Sequence, residues 1–339
     1  MSKLGADAVV AALKAAAEPT RLRILLLLSG SELSVKDLTR ILGQSQPRIS
    51  RHLKLLHEAG LIERSREGSW VYFTLGSGAG AAVLARTLVE QVDLGDGHVA
   101  RDRERAEALK LERETAAQNY FAVHAAEWDQ IRSLYVAEAD VEAVMLQAIA
   151  GRNYDLLVDL GTGTGRMLEL FAEHYSRGLG IDVNHAMLAY ARSKIGRIGH
   201  GRANVRQGDI YNLALGDGTA GAVVMHQVLH FLSDPARAIR EAARVLEPGG
   251  DLLIVDFAPH DLEFLREQFA HDRLGFSRAQ IDSWVRDAGL EPIAARELAP
   301  PPSSSGDKLT VSLWLARRPG VRASAKAGMP GVGQFETTE

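Results

Sequence analysis

The amino-acid sequence predicts an α/β protein of two domains, the first mostly helical and the second built around a largely parallel sheet. Its 339 residues exceed what one average domain needs, which favours two domains. Residues 1–94 carry short helical patterns that are followed by a hairpin and one more helix. From Tyr154 to about Leu315, apolar strand patterns alternate with helical ones, which is typical of an α/β domain.

Composition limits the chemistry that this chain can perform. Hydrophobic residues make up 46% and charged residues 24%, which fits a globular protein with a sizeable core. Cysteine is absent, which excludes disulfides, zinc–thiolate sites and cysteine nucleophiles. Asp7 and Glu18 interrupt the N-terminal stretch, and the apolar run from Ile24 to Leu28 is too short for an export signal or a membrane span. We therefore expect a cytoplasmic protein without a membrane partner.

Charge is unevenly distributed, although the whole chain carries a formal net charge of only −4. Residues 1–95 are mildly basic and the remainder is acidic. This asymmetry indicates that the two halves have different partners.

Two short helices are predicted near the start of the chain. The run RLRILLLLSG follows Pro19 and predicts a helix that ends at Gly30. The next run, SVKDLTRILG, predicts a second helix with Ser34 as its N-cap and Gly43 as its stop signal.

A third helix, over QSQPRISRHLKLLHEAGL, is strongly basic on one face. Ser45 is its predicted N-cap, Pro47 suits its first turn, and Gly60 ends it. An apolar stripe, which predicts the buried side, recurs at Ile49, Leu53 and Leu56. Three cations recur every third residue on another face, at Arg48, Arg51 and Lys54. Two helices joined by a tight turn, the second with a cationic face, are the pattern of a helix-turn-helix.

A basic hairpin follows this helix. The stretch LIERSREGSWVYFTL predicts two strands around a turn at Glu67-Gly68-Ser69. A hairpin in this place makes the motif a winged one, and Arg64 and Arg66 would lie near a phosphate backbone. Cations on a helix often only face solvent, but the ordered series of helix, helix, basic helix and basic hairpin favours DNA binding over that alternative.

These elements resemble the winged helix-turn-helix of the arsenic-repressor (ArsR) family of transcriptional regulators, over roughly the first quarter of the chain. The resemblance implies a homodimer on a double-stranded DNA operator with symmetry-related half-sites. Its dimer helix would match residues 80–92. The residues predicted to contact DNA are Ser45, Gln46, Arg48, Arg51, His52, Lys54, Arg64 and Arg66.

Metal-sensing members of that family bind metal through cysteines, at positions that Ser34 and Lys36 occupy here. Serine is a poor metal ligand and lysine carries a charge, so neither residue replaces a thiolate. We therefore expect no metal site, and we predict that Ser34 is a helix cap and that Lys36 faces solvent.

Changes in composition predict the domain boundaries. Residues 1–94 form the predicted DNA-binding and dimerisation domain, and residues 95–118 form a charged helical linker. Aromatic residues arrive together from Asn119, and residues 119–317 form the second domain. The stretch 318–339 is rich in glycine, alanine and proline, so we predict a disordered tail.

The second domain opens with an apolar strand, YDLLVDL, that runs into the glycine-rich turn GTGTGRMLELF. Glycines at a strand-to-helix turn let a ligand approach the backbone closely. The glycines are Gly161, Gly163 and Gly165, and Arg166 stands where a dinucleotide-binding loop needs a further glycine. The turn also lacks the Gly-Lys-Ser/Thr of a phosphate-binding loop, so it predicts a nucleotide site of another kind.

Two aspartates follow the next two strands. Asp182 ends the strand GLGID and can accept hydrogen bonds from both hydroxyls of a ribose. Asp209, in VRQGDIYNL, can accept from an adenine amino group, with Ile210 and Met187 on the faces of the ring. Each aspartate alone also fits a loop cap, but the glycine turn and both aspartates in this order favour an adenosine site.

The full series VDLGTGTG, GID, QGDI, MHQVLHFLSDP and LEPGGDLLIVDF resembles a class I S-adenosylmethionine-dependent methyltransferase, of the branch that acts on small molecules. The match runs from near Asn119 to Leu315 and implies a Rossmann-like seven-stranded sheet with an antiparallel strand near its C-terminus. S-adenosylmethionine is the implied cofactor, with S-adenosylhomocysteine as its product. The residues predicted to bind it are Asp159, Gly161, Thr162, Gly163, Gly165, Asp182, Val183, Met187, Asp209, Ile210 and His226.

Methyl transfer is an in-line displacement at a sulfonium, so alignment of the acceptor is its main requirement. A base is needed only where the acceptor must lose a proton early, and His226 and His230 are the candidates. Either histidine also fits a polar side chain packed beneath the adenosine. Tyr120 and Tyr211 are candidates for holding the acceptor.

Some acceptors are argued against by the sequence. The loop MHQVLH lacks the Asn-Pro-Pro-aromatic run that is typical of amino-methyltransferases for nucleic-acid bases. The absence of cysteine excludes thiolate-dependent methylation of a base at C5, and of arsenic.

Two functions from different classes remain open. In the first, the chain is a DNA-binding regulator and an active methyltransferase of a small molecule. In the second, it is a transcription factor whose second domain only senses S-adenosylmethionine or S-adenosylhomocysteine, and cofactor binding changes its DNA affinity. An intact cofactor pocket serves both functions, and we expect the bifunctional protein.

Overall fold

Two separate sheets, one of three strands and one of seven, organise the computed structural model of the chain. The structure describes residues 4–67, 70–76, 78–125, 128, 138–195, 202–300 and 309–320. The small sheet belongs to the N-terminal domain and the large sheet to the second domain. Among these residues, no helix is long and apolar enough to cross a membrane.

The N-terminal domain begins with four helices. They are α1 Ala6–Ala16, α2 Pro19–Gly30, α3 Val35–Leu42 and α4 Gln46–Glu58. Pro19 occupies the first turn of α2, where its missing N–H leaves no bond unmade, and Glu18 accepts a hydrogen bond from a backbone N–H of the same turn. Ser34, the predicted cap of α3, forms a capping box with Asp37, and Gly43 ends the helix at φ 64°.

The three-stranded sheet forms the wing. Its strands are β1 Leu33–Ser34, β2 Ile62–Glu67 and β3 Trp70–Leu75, in the order β1-β3-β2, and both pairings are antiparallel. Gly68 and Ser69 of the predicted turn lie outside the described residues. Ile62 and Phe73 of the hairpin pack into a core with helix residues that include Ile24, Leu25, Leu38, Ile41, Ile49, Leu53 and Leu56.

Two further helices complete this domain, α5 Ala81–Glu90 and the 28-residue α6 Gly97–His124. α5 lies within the predicted dimer helix of residues 80–92. Asp96 starts α6 by accepting hydrogen bonds from two backbone N–H groups. α6 is more than a solvated connector, because Leu109 packs into the core of the first domain and Ala117 is also buried. The helix continues past the predicted linker boundary to His124.

The seven-stranded sheet confirms the predicted Rossmann-like fold. Its strands are β4 Tyr154–Leu160, β5 Tyr175–Asp182, β6 Ala203–Gln207, β7 Ala220–His226, β8 Leu246–Phe257, β9 Glu291–Leu298 and β10 Val311–Arg317. The order is β6-β5-β4-β7-β8-β10-β9. β4 to β8 are parallel, and β10 is antiparallel to β8 and β9, as the resemblance implies.

Helices pack around this sheet. They are Glu138–Ala148, Arg166–Leu170, His185–Ile195, Pro235–Val245, Phe264–Gln268 and Arg278–Asp287. One core contains Leu157 and Phe171, and the other contains Val158 and Ile239. Leu157 and its neighbour Val158 enter different cores because successive side chains of a strand point to opposite faces of the sheet.

Candidate functional sites

A cavity of about 320 Å³ lies at the carboxyl ends of β4, β5 and β7. β5 and β7 pair with opposite edges of β4, so the strand order reverses there and a crevice opens. Ligands of doubly wound sheets bind in such a crevice. The lining includes every predicted cofactor residue except Gly165: Asp159, Gly161, Thr162, Gly163, Asp182, Val183, Met187, Asp209, Ile210 and His226.

The glycine-rich turn runs from β4 into the cavity and on to the next helix. The backbone N–H groups of Gly161 and Thr162 donate to the Ile181 carbonyl oxygen at 2.8 and 3.1 Å, which ties the turn to β5. Gly161 has φ 71°, and a Cβ atom there would overlap the Val228 side chain, so only glycine fits.

Gly165 is absent from the lining of the cavity, and its contact with the cofactor stays a prediction. It is the N-cap of the helix Arg166–Leu170, with φ 84°. A Cβ atom on Gly165 would lie 3.4 Å from side-chain atoms of Ala191 and Ile195. Its backbone conformation and the packing of two helices therefore explain this glycine.

The Asp182 carboxylate is held by the backbone at the end of β5. Oδ2 accepts a hydrogen bond from the Gly163 N–H at 2.9 Å, and Oδ1 accepts one from the Asn184 N–H at 2.8 Å. Burial raises the pKa of Asp182, and the backbone N–H groups oppose that rise because they favour the ionised form. Each carboxylate oxygen can accept a further hydrogen bond, so the side chain fits the predicted role of holding ribose hydroxyls.

The two other aspartates of the site differ in their surroundings. Asp159 is 1% exposed, and its Oδ2 accepts a hydrogen bond from Thr162 Oγ1 at 2.6 Å. Asp209 is exposed, and its Oδ1 accepts from the Tyr211 N–H at 2.8 Å. The buried Asp159 therefore orders the glycine turn, and the exposed Asp209 can meet a polar edge of a ligand.

The C-terminal part of α6 forms a wall of the cavity that the sequence pattern does not predict. Ala117, Gln118 and Phe121 line it together with Trp128. The backbone and side-chain oxygens of Gln118 accept hydrogen bonds from Asn184 Nδ2 at 3.0 and 3.1 Å. The sequence signal for this wall is the group of aromatic residues that begins where the charged run of α6 ends.

His230 forms a buried pair with Asp256. Its Nδ1 lies 2.7 Å from Asp256 Oδ1, and the two residues are 2% and 0% exposed. Asp256 also accepts hydrogen bonds from the His230 backbone N–H at 3.3 Å and from the Phe257 N–H at 2.8 Å. A carboxylate at Nδ1 favours the tautomer with its proton on Nδ1, which leaves Nε2 as the proton acceptor.

His230 also lines a second, smaller cavity of about 30 Å³. This cavity shares Trp128, Gln227 and Phe231 with the cofactor cavity, and the two therefore adjoin. Its other lining residues are Tyr120, Phe257, Leu265, Phe269, His271 and Leu309. Burial, and after it the neighbouring His230, His260 and Arg266, hold the pKa of His271 well below its usual range. No Lys, Arg, Asp or Glu lines this cavity in the part of the chain that the structure describes.

The other predicted base, His226, lines the cofactor cavity, with Nε2 3.7 Å from Glu138 Oε1. Its neighbour Gln227 has φ 50°, which is uncommon for a residue other than glycine, and its Nε2 is buried with no hydrogen-bond partner among the residues that the structure describes. Strain of this kind clusters at ligand sites. The Tyr211 hydroxyl accepts a hydrogen bond from the Asp234 N–H at 3.1 Å, which ties it to a helix start.

The basic face of α4 has the exposure that DNA contact requires. Its three cations, Arg48, Arg51 and Lys54, are exposed. The predicted apolar stripe is at most 1% exposed, at Ile49, Leu53 and Leu56. Ser45 and Gln46 are exposed at the start of α4, and Arg64 and Arg66 are exposed on β2. These seven polar and cationic residues stay predicted DNA contacts.

His52 does not lie on this face. It is 9% exposed, both of its ring nitrogens are buried, and Nδ1 lies 3.7 Å from Glu18 Oε2. Burial lowers the pKa of His52. Position 52 stands between Ile49 and Leu56 on the inward side of α4, so its burial removes His52 from the predicted DNA contacts.

Ser34 and Lys36, which stand where metal-sensing relatives carry cysteines, make other contacts in this structure. Ser34 is buried in the capping box of α3, and Lys36 is exposed with its ammonium 5.5 Å from the centroid of the Trp70 ring. Within the described ranges, no group of three or more His, Asp or Glu side chains is placed to hold a metal ion.

Comparison with known families separates the chain into the same two parts. The family model for the bacterial regulatory protein, arsR family, matches residues 18–64. The family model for the methyltransferase domain matches residues 158–254.

Three relatives illustrate the similarity. An uncharacterised 37.1 kDa protein in transposon TN4556 of Streptomyces fradiae is 34% identical over 179 residues, which cover 48% of this chain and 50% of that protein. The arsenical resistance operon repressor of Escherichia coli is 54% identical over 63 residues, or 18% of this chain and 54% of that protein. A demethylmenaquinone methyltransferase of Thermobifida fusca is 30% identical over 176 residues, or 47% of this chain and 72% of that protein.

The fold and the cavity are those of a methyltransferase domain that follows a winged helix-turn-helix along the chain. The chain belongs to the S-adenosylmethionine-dependent methyltransferases, and an ArsR-family DNA-binding domain is fused to its N-terminal side. S-adenosylmethionine is the cofactor of this class, and the glycine turn, Asp182 and Asp209 fit it. The chain spans 50–59% of the length of the first curated relatives that it matches.

Proposed function

We propose that the chain is a homodimeric DNA-binding regulator that also methylates a flat, uncharged small molecule. The observation that carries the enzymatic half is the His230–Asp256 pair, whose histidine lines a second cavity beside the cofactor cavity. A titratable ring close to the place where acceptor and cofactor meet is what a base-assisted methyl transfer requires.

His230 acts as the base in this proposal. Bound S-adenosylmethionine supplies an electrophilic methyl group on a positively charged sulfonium. His230 Nε2 takes the proton of an acceptor hydroxyl while the acceptor oxygen forms its bond to the methyl carbon, and the sulfur keeps the electron pair of the broken C–S bond. Asp256 holds the ring through Nδ1 and stabilises the positive charge that the ring then carries.

At about 30 Å³ the second cavity is too small to enclose a ring in this structure, so we propose that its walls bound an acceptor that extends from the adjoining cofactor cavity. The described lining of the second cavity is aromatic and aliphatic apart from Gln227 and two histidines. Aromatic walls favour a flat ring, and the absence of Lys, Arg, Asp and Glu from that lining disfavours a charged group. By their names, two relatives act on demethylmenaquinone and on phosphatidylethanolamine, so similarity alone does not choose the acceptor. The lining favours a phenol or quinol.

The regulatory half rests on the exposed cations of α4 and on an apolar surface beside it. Val10 and Leu13 of α1 are exposed apolar residues, and α1 packs on α5. Exposed apolar side chains that lie close together favour a protein partner, and the resemblance identifies the α5 region as a dimer helix. We therefore propose that a second copy of the chain covers this surface and that two α4 helices contact two half-sites.

Methyl transfer to a panel of phenols and quinols tests the enzymatic half. We expect methylated product by mass spectrometry, and we expect His230→Asn to lower the turnover by about 10²- to 10⁴-fold. His174→Asn is the matched control, because His174 contacts the Arg152 carbonyl oxygen away from both cavities. Equal turnover in the wild type and in His230→Asn would contradict the assignment of the base.

A second candidate function is a sensor that does not catalyse, and α6 favours it. The same helix packs Leu109 into the core of the DNA-binding domain and lines the cofactor cavity with Gln118. Cofactor binding can therefore shift an element that both domains share. DNA titrations with and without S-adenosylhomocysteine test this candidate at a stated salt concentration. A change in affinity of less than about twofold would rule it out.

A further inference from the structure

A buried arginine of the methyltransferase domain reaches into the wing of the DNA-binding domain. Arg273 is 1% exposed, and its guanidinium donates to Glu32 Oε2 at 2.7 Å. The same guanidinium lies over the Tyr72 ring of β3, 4.2 Å from the centroid. Glu32 immediately precedes β1, and its Oε1 accepts a hydrogen bond from Ser65 Oγ of β2 at 3.1 Å. Arg273 thus contacts all three parts of the wing, directly or through Glu32.

The backbone of the same arginine holds the proposed base. The N–H groups of Asp272 and Arg273 both donate to the His230 carbonyl oxygen, at 2.9 and 3.0 Å. The ring of the preceding residue, His271, lies 4.2 Å from the His230 ring, centroid to centroid. Residues 271–273 therefore contact His230, the proposed base, and Arg273 of the same stretch contacts the wing.

A second arginine strengthens the contact with the wing. Arg266 donates to the Tyr72 hydroxyl at 2.9 Å and to the Asp272 carbonyl oxygen at 2.6 Å. Its guanidinium also lies 4.8 Å from the centroid of the Trp70 ring, at the end of β3 next to the turn. The Tyr72 hydroxyl in turn donates to the Asp272 carbonyl oxygen at 3.3 Å. We call residues 266–273 the wing-contacting segment.

The contacts described above join charged groups and aromatic rings. A buried ion pair loses much of its Coulomb energy to desolvation, so apolar packing would hold two domains together at least as well. What a buried ion pair adds is a strict geometry, because a displaced partner leaves a buried charge alone. A displacement of the wing is therefore not absorbed locally but is passed to the wing-contacting segment.

We propose that Arg273 is a positioning residue that couples operator binding to the orientation of His230. When the wing binds DNA, Glu32 and Tyr72 are displaced. Arg273 contacts both residues and transfers their displacement to the His230 carbonyl oxygen. The reverse also holds, since ligand-induced movement of His230 changes how the wing is presented to DNA. The coupling is reciprocal: DNA changes the affinity for cofactor by the same factor by which cofactor changes the affinity for DNA. The catalytic part of this inference rests on the proposed role of His230.

The test uses Glu32→Gln in the full-length protein. This variant keeps the shape of the side chain and removes its charge, and Glu32 lies in the DNA-binding domain, outside both cavities. Glu112→Gln is the matched control, since it likewise removes a carboxylate that pairs with an arginine, in the exposed Arg40–Glu112 pair between α3 and α6, and it touches neither cavity. The probes are S-adenosylhomocysteine and the tightest duplex that the wild type selects from a random pool of about 30 base pairs, long enough for two half-sites.

Two dissociation constants are measured, for DNA with and without S-adenosylhomocysteine and for S-adenosylhomocysteine with and without DNA. We expect the wild type and Glu112→Gln to show the same coupling factor, of at least about threefold, from both directions. In Glu32→Gln the factor falls to about one, while each ligand alone still binds. DNA is also expected to change kcat rather than KM for the acceptor in the wild type and to leave kcat unchanged in Glu32→Gln.

Three results would overturn the proposal: no coupling in the wild type, full coupling in Glu32→Gln, or equal loss in Glu112→Gln. If Glu32→Gln fails to fold, Tyr72→Phe replaces it, because it removes the hydroxyl that Arg266 and Asp272 contact and keeps the ring. A reduced coupling factor in folded Tyr72→Phe supports the proposal, and an unchanged factor overturns it. Absence of methyl transfer alone leaves the coupling of the two affinities intact and counts only against the enzymatic half of the proposed function.

Discussion

Replacement of Asp256 by asparagine is expected to disable methyl transfer while the fold persists. Asp256 accepts three hydrogen bonds, at 2.7 Å from His230 Nδ1, at 3.3 Å from the His230 N–H and at 2.8 Å from the Phe257 N–H. Asparagine has one acceptor oxygen and one NH2 group, so at least one of these donors faces another donor. The loss of one or two buried hydrogen bonds costs about 1–3 kcal/mol of the free energy of unfolding.

The effect on rate is expected to exceed the effect on stability. Without a carboxylate at Nδ1, the His230 ring loses the partner that places the proton of its neutral form on Nδ1 and that stabilises the positive charge of the ring after proton transfer. Proton transfer by a positioned base contributes about 10²- to 10⁴-fold, so we expect Asp256→Asn to lower the single-turnover rate by an amount in that range. The assay is rapid-quench transfer from labelled S-adenosylmethionine to the best phenol or quinol of the panel.

A buried carboxylate five residues earlier on the same strand provides the control. Asp251 is 2% exposed and accepts hydrogen bonds from the Tyr154 hydroxyl at 2.8 Å and from Arg317 Nε at 2.7 Å. Asp251→Asn should lower stability by a similar amount and leave the single-turnover rate within about twofold of wild type, because Asp251 touches neither cavity. Wild-type turnover in Asp256→Asn, or an equal loss in Asp251→Asn, would refute the argument.

Three other expectations follow from the sites. Asp182→Ala should weaken S-adenosylhomocysteine binding about 10- to 100-fold in calorimetry, because it removes a charged acceptor, and should leave DNA affinity without cofactor unchanged. Arg48→Ala and Arg51→Ala should each lower the salt slope of DNA binding by about one, and a slope equal to wild type would exclude that residue from phosphate contact. Burial lowers the pKa of His260 from 6.5 to about 4, so protonation favours the unfolded state. The burial of neutral His260 therefore costs no stability above pH 6.5, and the free energy of unfolding falls as the pH falls from 6.5 towards 4. His260→Gln should flatten this part of the stability–pH curve in chemical denaturation, whereas an unchanged curve would contradict the burial argument.

The parts of the site that the sequence predicts are local ones. The glycine turn and Asp182 belong to a strand and the residues that directly follow it, and parallel strands bring such ends together by their topology. The capping box at Ser34 is likewise complete within one turn of helix. His52 shows the limit of local reasoning, since it stands next to Arg51 in the sequence but lies on the inward side of α4.

The parts that the sequence does not predict depend on distant contacts. Glu32 and Arg273 are 241 residues apart, and neither carries a motif that marks it. Gln118 lines the cofactor cavity only because α6 continues beyond the charged run and lies against the loop after β5. Periodicity predicts that such a helix exists but not which tertiary neighbour its last turns meet.

The contacts around the start of α3 place arginine side chains close to the positions at which the resemblance implies a metal ion in metal-sensing relatives. The resemblance implies that metal-sensing relatives hold a cation at the positions of Ser34 and Lys36. In this chain, two arginine guanidinium groups reach the carboxylates on either side, because Arg273 pairs with Glu32 and Arg113 of α6 pairs with Asp37 of the capping box. Arg113 Nη1 also lies 3.6 Å from Asp272 Oδ1. Arg113 therefore contacts the wing-contacting segment, to which Arg273 itself belongs. Positive charge thus lies on both sides of the start of α3, from Arg113 of α6, the helix that also lines the cofactor cavity, and from Arg273 of the domain that binds the cofactor.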